Sequence, residues 1–131
     1  MNGLTIDEAA QRMGISKDTL RYYEKEGLLP PIAKGANGHR RYSEDDLGWV
    51  SSLQLLRGTG MPIRDMKLFV ELTTAGDHTL GERVELLSRY RVALKERMAA
   101  DRERLKFLDY KIDVYSGLLA LQSAEPADIT G

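Results

Sequence analysis

Three cations, Lys34, Arg40 and Arg41, fall in the stretch Gly27–Tyr42 (GLLPPIAKGANGHRRY), which contains no carboxylate, within a chain whose formal net charge is only −1. Guanidinium and ammonium groups concentrated this way suit phosphate oxygens, which they meet through charge-assisted hydrogen bonds. Pro30-Pro31 and Gly35-Ala36-Asn37-Gly38 punctuate the stretch as a loop or hairpin. Bulk charge does not explain the pattern, because residues 1–70 carry ten bases against nine acids and residues 71–131 carry nine against eleven. Affinity for a polyanion must therefore come from a patch.

Other chemistries are poorly served. The 131 residues include no cysteine and two histidines, His39 and His78. Disulfides, thiolate metal sites and cysteine nucleophiles are absent, and histidines alone cannot build a metal centre within one chain. Neither a glycine-rich phosphate loop nor a convergent acid-base cluster stands out, so the reading is of a protein that is not an enzyme and needs no cofactor or metal. No run approaches the ~20 apolar residues of a membrane span, and the start MNGLTIDEAA is unlike a signal peptide, which makes a cytoplasmic protein the default.

The elements that must hold the basic stretch are mostly helices. Leu4 and Ile6 suggest a very short strand, followed by a helix that carries Asp7 and Glu8 in its first turn and Ala9, Ala10 and Met13 on its apolar face, with Gly14 as its stop. Ser16 caps a second helix from about Lys17 to Glu26, ended by Gly27. Two short helices joined this tightly read as a helix-turn-helix. On the second, Leu20 and Tyr23 face inward while Asp18, Arg21, Tyr22 and Lys25 face outward at about 100° per residue. Ser43 with Glu44, Asp45 and Asp46 opens a third helix running to Gly58, and Pro62 suits the first position of a fourth.

Residues 73–78 read as a polar connection, and Thr79 with Glu82 as a capping box. From there a spacing of alternating four and three residues runs through Leu80, Val84, Leu87, Arg91, Leu94, Met98, Asp101, Leu105, Leu108, Ile112, Tyr115 and Leu119. One helix over residues 79–121 is expected, with a seam that a second copy of the chain must cover. Residues 122–131 read as a disordered tail. Like charges would face each other in a parallel pairing, at Arg91 and again at Asp101. An antiparallel pairing sets Arg91 against Asp101 and makes paired residue numbers sum to 192, so that Leu94 meets Met98 and Leu87 meets Leu105 around an axis near Glu96.

The segments TIDEAAQRMGISKDTLRYYEKEGLL, GHRRYSEDDL and LLRGTGMPIRDM together closely resemble the mercury-resistance-regulator (MerR) family of bacterial transcription factors, by motif over residues 4–72 and by architecture beyond. The resemblance implies a mainly α chain: a winged helix-turn-helix domain over residues 1–72, a connection, then an antiparallel coiled-coil homodimerisation helix. It implies a sequence-specific regulator without catalytic activity. Such a regulator bends and untwists a promoter whose spacer is over-long, so that RNA polymerase can engage both promoter elements. A coiled-coil adaptor or architectural protein using the same DNA-binding head is the alternative.

Carried over by residue, Ser16, Lys17, Thr19, Arg21 and Tyr22 lie on the helix that enters the major groove in the family, while the inward position of Tyr23 beside Leu20 favours a core role over DNA contact. Lys17 and Arg21 fit a guanine edge or a phosphate equally well. His39, Arg40, Arg41 and Tyr42 match the first wing, with Arg40 and Tyr42 the better phosphate contacts. Arg64 and Lys67 match a second wing, although Lys67 fits a solvated position equally well. The chain looks closest to a small aldehyde-responsive, thiol-sensing branch, yet has Leu55 where that branch carries cysteine. Two readings stay open for Trp49, Tyr90, Phe107, Tyr110 and Tyr115: core filling, or a small pocket for an apolar or aromatic effector.

Overall fold

The computed structural model describes residues 3–124. Five α-helices follow one another: α1 (Ile6–Met13), α2 (Lys17–Lys25), α3 (Glu44–Gly58), α4 (Ile63–Ala75) and α5 (Leu80–Ala124), with a 3₁₀ turn (Asp77–Thr79) leading into the last. The chain divides into two compact units, Met1–Val92 and Ala93–Gly131.

Local chemistry sets the helix boundaries of the first unit. The Thr5 hydroxyl accepts from the Glu8 amide at 3.1 Å while the Glu8 carboxylate accepts from the Thr5 amide at 2.8 Å. That reciprocal cap starts α1 at Ile6, so the expected strand over Leu4 and Ile6 reduces to Leu4, which pairs antiparallel with Tyr42. Gly14 adopts φ 70°, a left-handed conformation that closes α1 and turns the chain toward Ser16, whose hydroxyl caps α2. The Ser43 and Asp46 pair repeats the capping box at α3.

Two expected boundaries move. Helix α4 runs on through Ala75, with the Thr73 and Thr74 hydroxyls donating back to the Phe69 and Val70 carbonyls. Thr79 forms no capping box. Its hydroxyl lies 2.5 Å from the Leu72 carbonyl and accepts from Arg83 Nε at 3.0 Å, because the last carbonyls of α4 lack helical donors and take precedence. Arg83 adds a bond from Nη2 to the Gly76 carbonyl at 2.7 Å.

Leu20, Tyr23, Leu28, Tyr42, Leu53, Met66, Leu86 and Val50 are the largest fully buried side chains of the first unit. Leu86 lies on α5, and Tyr90 one turn later packs against the same core. The first unit therefore reaches Val92, past the boundary expected at residue 72. The start of α5 has two apolar faces: Leu86 and Tyr90 turn into the core, while Leu80, Val84 and Leu87 of the seam are exposed.

In the second unit the described residues, 93–124, are helical throughout. The helix thus continues three residues beyond the expected end, and the remainder of the expected tail, residues 125–131, lies outside the described residues. Met98, Leu105, Leu108, Ile112, Tyr115 and Leu119 are exposed in the single chain. Among the described residues no helix is long and apolar enough to cross a membrane.

Candidate nucleic-acid interface

Helix α2 is the centre of the basic surface. Its buried side, Leu20 and Tyr23, is held by the core, and its outward side presents Asp18, Arg21, Tyr22 and Lys25 to solvent. Ser16 and Thr19 occupy the first turn, where the Thr19 amide donates to Ser16 Oγ at 3.0 Å and the two hydroxyls lie 2.9 Å apart. Lys17 forms an exposed ion pair with Asp7 at 2.9 Å, and Arg21 with Asp18 at 3.3 Å. Exposed pairs of this kind are worth little and exchange readily for a phosphate.

The stretch Gly27–Tyr42 has two parts with opposite environments. Leu28, Leu29 and Ile32 are buried and anchor it to the core. Residues 33–41 then form a minimal hairpin, with Lys34 bridged to Arg40, the Gly35 amide donating to the His39 carbonyl at 2.7 Å and the Arg41 amide to the Ala33 carbonyl at 2.8 Å. Gly38, at φ 81°, makes the tip. This hairpin is the wing. Its base approaches Gly3 so closely that a Cβ there would meet Arg41 Cβ at 3.1 Å. Arg41 is accordingly half-buried, while Lys34, His39 and Arg40 are exposed.

Helix and wing face each other across a cleft lined by Arg21, Lys25, His39, Arg40 and Arg41, with Asp7 and Glu24 among its walls. Arg40 Nε donates to Glu24 Oε2 at 2.6 Å, and this hydrogen-bonded contact raises the guanidinium pKa further. A matching tie lies at the end of α2, where Lys67 of α4 meets Glu26 at 2.7 Å. Their hydrogen bond pushes the Glu26 carboxyl below its ordinary value and the Lys67 ammonium above it. The structure thus brings Arg21, Arg40 and Lys67 around one helix. Arg64 has an exposed side chain, lies 3.7 Å from Asp65 and sits three residues before Lys67 on α4.

Tyr42 departs from expectation. Its ring is fully buried, and among the described residues its hydroxyl is buried without a hydrogen-bond partner. Burial, then the nearby Glu24 charge, raises the phenol pKa, against the opposing influence of Arg40 and Arg21. Backbone bonds of 2.8 Å in both directions with Leu4 fix Tyr42 beneath the wing, and the apolar area of the ring outweighs the desolvation of one hydroxyl. Tyr42 is therefore a core residue of the wing in the free chain, where burial works against the expected phosphate contact. Glu24 and Glu26 are the positions that sequence reasoning missed. Both lie in the YYEKEG segment, but the cations they hold are sixteen and forty-one residues away.

The aromatic set separates. Trp49 and Tyr90 are partly buried against the core of the first unit, whereas Phe107, Tyr110 and Tyr115 are exposed on α5 in the second. Lys111 Nζ sits 5.7 Å from the Phe107 ring centre and 5.6 Å from that of Tyr115. Leu55, at the position of the sensing cysteine in the resembled branch, is 72% exposed on α3.

A tight helix-turn-helix whose second helix is flanked by a basic hairpin and by a further helix that brings Lys67 beside it defines the winged helix-turn-helix class of DNA-binding proteins. The sequence pattern of the MerR family regulatory proteins matches residues 5–42. A helix-turn-helix transcriptional regulator of Haemophilus influenzae is 40% identical over 95% of this chain and 93% of its own, and the regulator AdhR of Bacillus subtilis is 34% identical over 71% of this chain and 66% of its own. Among solved structures, a MerR family transcriptional regulator from Listeria monocytogenes superposes with a TM-score of 0.85 at 38% identity, covering 98% of this chain and 97% of that one. HiNmlR, a MerR family regulator lacking the sensor domain and bound to promoter DNA, superposes at 0.81 with 41% identity, covering 93% and 96%. The chain belongs to the MerR family of transcriptional regulators.

Proposed function

We propose that this protein binds promoter DNA as a homodimer and regulates transcription by bending and untwisting an over-long promoter spacer, so that RNA polymerase can engage it. The observation that carries the reading is the convergence of Arg21, Arg40 and Lys67, from three separate elements, around the exposed face of α2. In this reading α2 enters the major groove with Ser16, Lys17, Thr19, Arg21 and Tyr22. His39, Arg40 and Arg41 hold the backbone from the wing, and Arg64 and Lys67 do so from α4. The exposed α5 seam pairs with that of a second copy, which sets the spacing of two half-sites. Promoter DNA bound to HiNmlR, at 41% identity, supports the same partner here.

Purified protein, RNA polymerase and a promoter carrying an imperfect inverted repeat in a lengthened spacer test this. Transcription should depend on both the repeat and the spacer length. DNA binding without any effect on transcription would instead support an architectural role.

A further inference from the structure

We propose that Glu24 is a positioning residue for DNA binding: it orients Arg40 so that the outer edge of the guanidinium meets a backbone phosphate. The inference rests on the reading of Arg40 as a phosphate contact.

A carboxylate beside a phosphate-binding arginine is, on charge alone, unfavourable. Its environment nevertheless differs from that of Asp7 and Asp18 and is shared by Glu26, whose side chain is 27% exposed against Lys67. The Glu24 side chain is 22% exposed, against 73% for Asp7 and 94% for Asp18, which pair with Lys17 and Arg21. The contact distance is 2.6 Å, and it uses Nε, the inner N–H of the guanidinium. Among the described residues neither Nη group of Arg40 makes a hydrogen bond. A guanidinium is planar with its donors in a fixed fork, so fixing Nε also fixes where the Nη donors point. Wing residue and recognition helix are thereby joined side chain to side chain, in a hairpin whose own ladder has a single bridge, Lys34 with Arg40.

The two roles open to Glu24 differ in sign. If it only adds negative charge, removing it tightens binding to DNA. If it positions Arg40, removing it weakens binding although a repelling charge is lost. The test measures binding of a fluorescein-labelled duplex of mixed sequence at several salt concentrations. The variants are Glu24→Ala, Glu24→Gln, Arg40→Ala and Glu24→Ala with Arg40→Ala, with dimer state and thermal melting checked for each.

Glu24→Ala should weaken binding by roughly 3- to 10-fold and shallow the salt slope by up to about 0.9, as Arg40→Ala does. Glu24→Gln keeps an acceptor for Nε and should recover most of the loss. In the Arg40→Ala background Glu24→Ala should cost nothing. If Arg40→Ala weakens binding but Glu24→Ala leaves it equal or tighter, the positioning role alone is overturned. If Arg40→Ala has no effect, the reading of Arg40 fails and the positioning role falls with it.

Discussion

At the residue scale, the distinction that matters is between cations that neutralise phosphate and those that read bases. Arg40, on the wing, should belong to the first kind. Arg40→Ala is expected to weaken binding to every duplex alike and to reduce the salt slope by about one phosphate contact. Arg21, on the exposed face of α2, should relax base preference at one symmetric pair of positions when changed to Ala, at roughly 1–3 kcal/mol for a bidentate contact. Selection from randomised sites separates the two: a preference unchanged by Arg21→Ala would assign it to the backbone. Tyr42 supplies the counterpart. Because its hydroxyl is buried without a partner among the described residues, Tyr42→Phe should leave stability unchanged or slightly higher, whereas Tyr42→Ala should cost about 3–5 kcal/mol. Denaturant melts measure both, and a loss of DNA binding by Tyr42→Phe at unchanged stability would place the hydroxyl on a phosphate.

At the scale of elements, the joint between α4 and α5 combines local and distant contacts. Thr79 and Arg83 tie the end of α4 to the start of α5. Two turns further, the Tyr90 hydroxyl donates to Asp65, a carboxylate with a nearly buried side chain in the first turn of α4. That bond, with some help from burial, pushes the Tyr90 phenol above its ordinary value. A group whose folded pKa is raised contributes stability below the unfolded value, near 10 for tyrosine, and loses it as pH rises through the folded one. The tie should therefore weaken on the alkaline side. Tyr90→Phe is expected to lower stability at neutral pH by about 1 kcal/mol, and to flatten the alkaline loss seen in melting curves taken upward from pH 9. An alkaline limb identical in both proteins would remove Asp65 as the cause.

Across the whole molecule, the polar residues in the seam should determine how two copies pair. Asp101 is bonded to Arg104 of its own helix at 2.9 Å, but that pair is exposed and readily exchanged. In the antiparallel register Arg91 meets the partner's Asp101, with Val84 against Leu108 and Leu80 against Ile112. Exchanging the charges, Arg91→Asp with Asp101→Arg, should restore most of the dimer stability that either single change loses. Additive losses, measured by sedimentation or dilution, would contradict this register, as would a two-fold axis more than one heptad from Glu96. A chain without cysteine should also regulate a promoter identically with and without diamide in a purified system.

Much of this architecture could be read from sequence, because its determinants are local. Gly14 and Ser16 mark the turn between two short helices, Ser43 with Asp46 marks a helix start, and the spacing from Leu80 onward marks one long helix. The cluster Lys34, Arg40 and Arg41 was visible for the same reason: charge in a turn-rich stretch reports a solvated loop without any knowledge of packing. Tertiary structure alone decided what depends on neighbours remote in the chain. It buried Tyr42, turned Leu86 and Tyr90 into the core so that the first unit reaches Val92, redirected Thr79 to the carbonyls of α4, and set Glu24 against Arg40. Periodicity shows that a helix has an apolar face but not which body covers it, and a carboxylate on an exposed face has no sequence mark for the cation that folding brings to it.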